Sequence, residues 1–171
     1  MTVEASPEEQ ANRLRAGVLG AIDGITSTAG VVVGVAAASP TRAALLLAGG
    51  AALIGGALSM GGGEYASVSA GRDAEAADGV PVGELPSAWA AAAASAAAFI
   101  VGATVPVAAV LLPPAGWRVP TAFLAVAVAL LAAGVTSARL GGTDARKAVL
   151  RTLAGGGLAM AATYGFGAIA G

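Results

Sequence analysis

Two carboxylates interrupt apolar sequence where hydrocarbon-facing side chains would be expected: Asp23 in AIDGITSTAG and Glu64 in LSMGGGEYASVSAGRD. An ionised residue at the centre of a membrane helix costs about 2.5 to 3.5 kcal/mol on insertion scales, so such residues usually face a pathway or a partner. Asp23 lies eight residues beyond Arg15, and Glu64 eight residues before Arg72. On antiparallel helices rising about 1.5 Å per residue, this places both acids about 12 Å from one boundary. Met60 precedes Glu64 by four residues and shares its face. Thr26 and Ser27 add hydroxyls beside Asp23. Hard carboxylates, a soft thioether and hydroxyls suit a transient site for a borderline divalent ion such as Fe²⁺. The plainer alternatives are a protonated or cross-helix hydrogen-bonded carboxylate and a methionine that only fills the core.

What is missing narrows the chemistry. The chain has no histidine and no cysteine, so the usual zinc, haem and iron–sulfur ligand sets cannot form. A proton carrier here is a carboxylate. No Ser/His/Asp set or metallohydrolase motif occurs, and an enzyme is not expected. A formal net charge of −1 offers no field for nucleic acid, which is not an expected partner.

The elements that must hold these residues are membrane helices. Of 171 residues, 57% are hydrophobic and only 11% charged, against about 25% charged in soluble domains. Apolar runs long enough to cross about 30 Å of hydrocarbon recur, and no alternating strand pattern appears. The expected fold is all-α, one polytopic membrane domain of five helices over about 16–38, 43–70, 86–112, 119–138 and 145–170. Residues 1–15 form a lead-in helix capped by Ser6, with Pro7 at its first position, and lack the basic start of a signal peptide. Residues 72–85 read as a short polar loop, Pro106 as a kink, Trp117 as an interfacial anchor and Thr143 as the cap of the last helix.

Arg13, Arg15, Arg72, Arg139, Arg146, Lys147 and Arg151 fall on one side of such a fold, and Arg42 and Arg118 on the other. The positive-inside rule then makes the N-terminus cytoplasmic and the C-terminus opposite. The basic rim suits anionic lipid. Gly20 with Gly24 and Gly30 with Gly34 form small-residue stripes on the first span, a candidate dimer face. Gly61, Gly62 and Gly63 either permit close packing or loosen the second span beside Glu64, as in broken transporter helices.

Three segments resemble the vacuolar iron transporter family, the group related to the yeast calcium-sensitive cross-complementer: VLGAIDGITSTAGVVVGVAAAS, ALSMGGGEYASVSAGRDAE and ARKAVLRTLAGGGLAMAATYGFGAIAG. The resemblance implies a homodimer of five-helix subunits exchanging cytosolic Fe²⁺, and often Mn²⁺, for protons. It assigns the ion path to Asp23 and Met60, with Glu64 beside them. Two departures are visible. Ile22 stands where the family commonly has asparagine, and residues 72–85 replace a long acidic metal-binding domain, as in the nodulin-like and compact prokaryotic branches.

The expected function is a proton-coupled exporter of Fe²⁺ or Mn²⁺ from the cytoplasm, multi-pass in a bilayer, with a prokaryotic plasma membrane suggested by the compact Ala/Gly-rich chain. The alternatives are a non-transporting scaffold or accessory subunit with the same fold, or a proton-coupled carrier of organic cations.

Overall fold

Alanine, glycine, valine and leucine fill the apolar runs; alanine has no side-chain freedom to lose in a helix and leucine loses little, and a helix satisfies every backbone group within the span. A computed structural model describes residues 7–38 and 41–171. Five long helices account for nearly all of it: α1 (Pro7–Ala38), α2 (Arg42–Ala77), α3 (Ala88–Leu111), α4 (Arg118–Gly141) and α5 (Ala145–Ala170). All five belong to segments long and apolar enough to cross a bilayer, and the protein is a multi-pass membrane protein. The Ser6 cap and the Ser39–Pro40 turn lie outside the described residues.

Local chemistry sets the helix ends. Thr41 caps α2, its hydroxyl accepting from the Ala44 N–H at 3.3 Å, and Ser87 caps α3 through the Ala90 N–H. The cap of α5 is Asp144 and not Thr143: its carboxylate accepts from the N–H groups of Arg146 at 2.8 Å and Lys147 at 3.3 Å. Thr143 is otherwise engaged. Its N–H closes α4 by donating to the Ala138 carbonyl, a Schellman arrangement made possible by Gly142 at φ 60°.

The stretch expected as a loop at 72–85 is half helix. Residues 72–77 are good helix formers, so α2 continues until Asp78 and Gly79, the latter at φ 90°. Arg72 turns back from α2 and donates to the carbonyls of Leu85 at 3.3 Å and Pro86 at 2.6 Å. Pro106 lies buried inside α3 without ending it, and Trp117 is exposed in the short 3₁₀ turn leading to α4.

Helix α1 touches all four other helices. Its residues Ile25, Ala29, Val32 and Val33 form the main core with Leu45, Val110, Val126, Leu130 and Met160. Packing against α3 is backbone to backbone. A Cβ on Gly20 would come within 2.2 Å of the Ser95 carbonyl oxygen, one on Gly24 within 2.2 Å of that of Phe99, and one on Gly102 within 2.4 Å of that of Ala21. Gly30 and Gly34 face Thr163 of α5. Both stripes on α1 are thus consumed inside the bundle, which removes them as a dimer face: a surface in contact with α3 or α5 is not available to a second copy.

These contacts also fix direction. Position 20 meets 95 and 24 meets 99, so α1 and α3 run parallel; 34 meets 167 and 38 meets 171, so α5 does too. Val32 meets Gly49 while Ala16 clusters with Val68, and Gly134 meets Val149 while Leu130 meets Gly156, so α2 and α4 run the other way. The bundle is up-and-down. Its near end holds the start of α1 and the α2–α3 and α4–α5 connections.

Candidate metal path

Glu64 is buried, with 7% of its side chain exposed, on a helix that is mostly apolar. Its carboxylate accepts from Arg15 of α1, Nη2 to Oε1 at 3.0 Å. Arg15 keeps 61% of its side chain exposed and also donates to the Asn12 side-chain oxygen at 3.1 Å. Counting charges along the sequence used Arg15 only as a boundary marker. The hairpin register reveals its role, since Arg15 and Glu64 are almost equally far from the turn between α1 and α2.

The same register separates the two acids in depth. Ala16 clusters with Val68, and Val32 meets Gly49, which puts Met60, and not Glu64, at the level of Asp23. Glu64 stands one turn, about 6 Å, closer to the near end. From Arg42 to Glu64 the helix rises about 33 Å, close to the full hydrocarbon thickness of about 30 Å. Along the bundle Glu64 is thus the acid closer to the near end and Asp23 the deeper one. The flanking arginines are not level with each other: Arg72 lies one to two turns beyond Arg15 toward the near end, so equal spacing from each does not mean equal depth.

Asp23 is half-buried and lines a groove of about 330 Å³ between α1 and α5, with Thr26, Arg151, Thr152 and Gly156 among its walls. Thr152 already donates to backbone carbonyls of Leu130 and Val149. The Ser27 hydroxyl donates to the backbone carbonyl of Asp23 at 2.6 Å, not to the carboxylate. Met60 packs on Ala57, Phe99 and Ala103 at the α2–α3 seam. One chain therefore joins Glu64 to Arg15, while Asp23 and Met60 lie on separate sides of the bundle.

Around Glu64, α2 stays helical through Gly61, Gly62 and Gly63. Gly61 packs on Ala92 and Ala96, and the other two have open space. The glycines thus do not unwind the span. Tyr65 packs its ring against Trp89, centroids 4.7 Å apart. Two buried hydroxyls that composition did not single out, Thr28 and Ser95, have no hydrogen-bond partner among the described residues. Their signal in sequence is weak, because serine and threonine are common in apolar helices. Among the described residues, no three Asp or Glu side chains gather into a preformed metal cluster.

The model of the VIT family matches residues 14–80 and 79–168, which include Asp23, Met60 and Glu64. The chain belongs to the VIT family. Among its relatives, a rice protein (Oryza sativa subsp. japonica) named vacuolar iron transporter homolog 5 is 50% identical over 108 residues, 58% of this chain and 52% of that protein. Vacuolar iron transporter homolog 3 of Arabidopsis thaliana is 42% identical over 166 residues, covering 92% of this chain and 83% of its own. Rice vacuolar iron transporter homolog 1 is 44% identical over 169 residues, covering 91% and 73%. The match to the first of these spans about half of the relative. These VIT relatives are plant proteins named for the vacuole, and they lend no support to the expected prokaryotic plasma membrane.

Proposed function

We propose that this VIT protein carries Fe²⁺ or Mn²⁺ across its membrane in exchange for protons, moving metal away from the cytoplasm. The carrying observation is the buried Glu64 carboxylate toward the near end, with Asp23 deeper in the same bundle. Membership in the VIT family and similarity to proteins named vacuolar iron transporter homologs support metal as the cargo. The excess of Lys and Arg at the near end supports a cytoplasmic N-terminus and access from that side.

The chemistry is competition for the same oxygens. A divalent ion leaving water needs anionic or dipolar ligands, and a carboxylate that binds it must first be free of its proton. Glu64 receives the ion, and Met60 and Asp23 mark the next level down. Protons arriving from the other side neutralise the carboxylates and release the metal. A homodimer, implied by the family resemblance, belongs to this proposal: the separation of Asp23 from Met60 in one chain favours a path completed by a second copy.

Reconstituted vesicles with an imposed pH gradient provide the test. Fe²⁺ or Mn²⁺ uptake should depend on the gradient and fall at least tenfold in Asp23→Ala and in Glu64→Ala. Flux unchanged by both substitutions would refute the assignment. Absence of flux together with absence of metal binding would favour the scaffold alternative, and competition by organic cations but not Mn²⁺ the organic-cation carrier.

A further inference from the structure

Arg15 has an unusual double exposure. On one side it bonds the buried carboxylate of Glu64. On the other it lines a cavity of about 520 Å³ between α1 and α4. Leu19 and Ile22 wall both this cavity and the groove that contains Asp23, so the two spaces adjoin along α1. Arg15 therefore stands between the carboxylate of Glu64 and the space that leads to Asp23.

Resting on the metal-transport reading, we propose that Arg15 is a tethered competitor for the cation site at Glu64 and sets which ions can take it. A guanidinium is permanently charged and offers several donors to a carboxylate. Held on the neighbouring helix, it competes at the effective concentration of a linked group rather than as a free ion. A hydrated monovalent cation offers no more charge than Arg15 and does not displace it. A divalent ion offers twice the charge and can. The large exposed fraction of Arg15 gives the displaced side chain somewhere to go, into the cavity it already lines.

Three consequences distinguish competition from a merely structural ion pair. Removing the guanidinium should tighten metal binding, whereas loss of a structural contact weakens or leaves it. The gain should require Glu64. A retained positive charge should restore the original affinity.

Equilibrium binding of Mn²⁺ to the purified full chain in detergent, read by the electron paramagnetic resonance of free Mn²⁺, tests all three. Arg15→Gln should bind Mn²⁺ about fivefold tighter than the parent, the scale of a half-exposed ion pair. Arg15→Lys should stay near the parent value, and Arg15→Gln with Glu64→Gln should lose the gain. Binding by Arg15→Gln alone, with none by the parent, also supports the proposal. Equal or weaker binding by Arg15→Gln, or a gain that survives Glu64→Gln, overturns it while leaving metal transport standing. No binding by parent or variants overturns both. In vesicles, Arg15→Gln should lower the KM for Mn²⁺ and also the maximal rate, because a metal held more tightly leaves more slowly.

Discussion

Arg15 of α1 reaches across to α2 and donates to Glu64 at 3.0 Å, joining an exposed cation to a buried carboxylate toward the near end. The pair belongs to neither of the usual extremes. Wholly exposed pairs contribute little, and wholly buried ones cost heavily in desolvation. With one partner exposed and the other buried, the bond can break without burying the arginine unpaired.

Asp23→Asn should abolish proton-coupled Mn²⁺ flux while shifting stability by less than about 0.5 kcal/mol, as for substitutions away from packed or paired groups. Asp23 forms no ion pair among the described residues and lines an open groove. Flux in vesicles and thermal unfolding in the same detergent check the two halves. A large loss of stability would recast Asp23 as structural.

Gly24→Ala should destabilise the bundle by about 1 to 3 kcal/mol, the usual cost of overpacking. The new methyl would sit 2.2 Å from the Phe99 carbonyl oxygen, a backbone atom that cannot swing aside. Gly62→Ala on α2 meets open space and should be neutral or stabilising by up to about 1 kcal/mol through helix propensity. Thermal unfolding of the two variants side by side is the measurement. Equal behaviour would contradict the close α1–α3 approach.

Asp144→Ala should cost about 1 kcal/mol, the usual loss for an N-cap, and Thr143→Ala much less. The two N–H groups that Asp144 satisfies would be left to water. Amide hydrogen exchange at Arg146 and Lys147 should accelerate in the first variant only.

Arg72→Met should loosen the α2–α3 connection, since it removes both bonds to the Leu85 and Pro86 carbonyls. Charged hydrogen bonds of this kind contribute about 1.5 to 3 kcal/mol. Limited proteolysis within 78–86 should quicken severalfold, with no change at the α4–α5 connection.

Five membrane helices were legible because hydropathy and length alone demand them. The last helix, Ala145–Ala170, opens on Arg146, Lys147 and Arg151 before its apolar run. Its cap is not legible in the sequence because Thr143 and Asp144 are both competent caps, and the helix starts so that the Asp144 carboxylate takes the free N–H groups. The continuation of α2 to Ala77 is hidden in the sequence because polarity marks the end of a membrane span but not of a helix, whose propensity carries through charged residues. At the site, Asp23, Met60 and Glu64 were visible as polar or soft groups in apolar sequence. Their grouping was not. Equal spacing from Arg15 and Arg72 suggests equal depth for Asp23 and Glu64, and the helix register denies it because Arg72 lies one to two turns beyond Arg15. The partner on α1 that the geometry supplies is Arg15.

The interlock of Gly20, Gly24 and Gly102 makes α1 and α3 a single rigid strut. Gly167 abuts the Gly34 carbonyl in the same way and ties α5 to α1, so any rocking motion that exposes opposite sides of the membrane in turn must hinge elsewhere, with α2 as the moving arm. The chain contains no cysteine, so paired cysteines can be introduced with no native thiol to remove. A bridge between the near ends of α1 and α3 should leave flux intact, whereas one pinning α2 to α3 should arrest it until reduced.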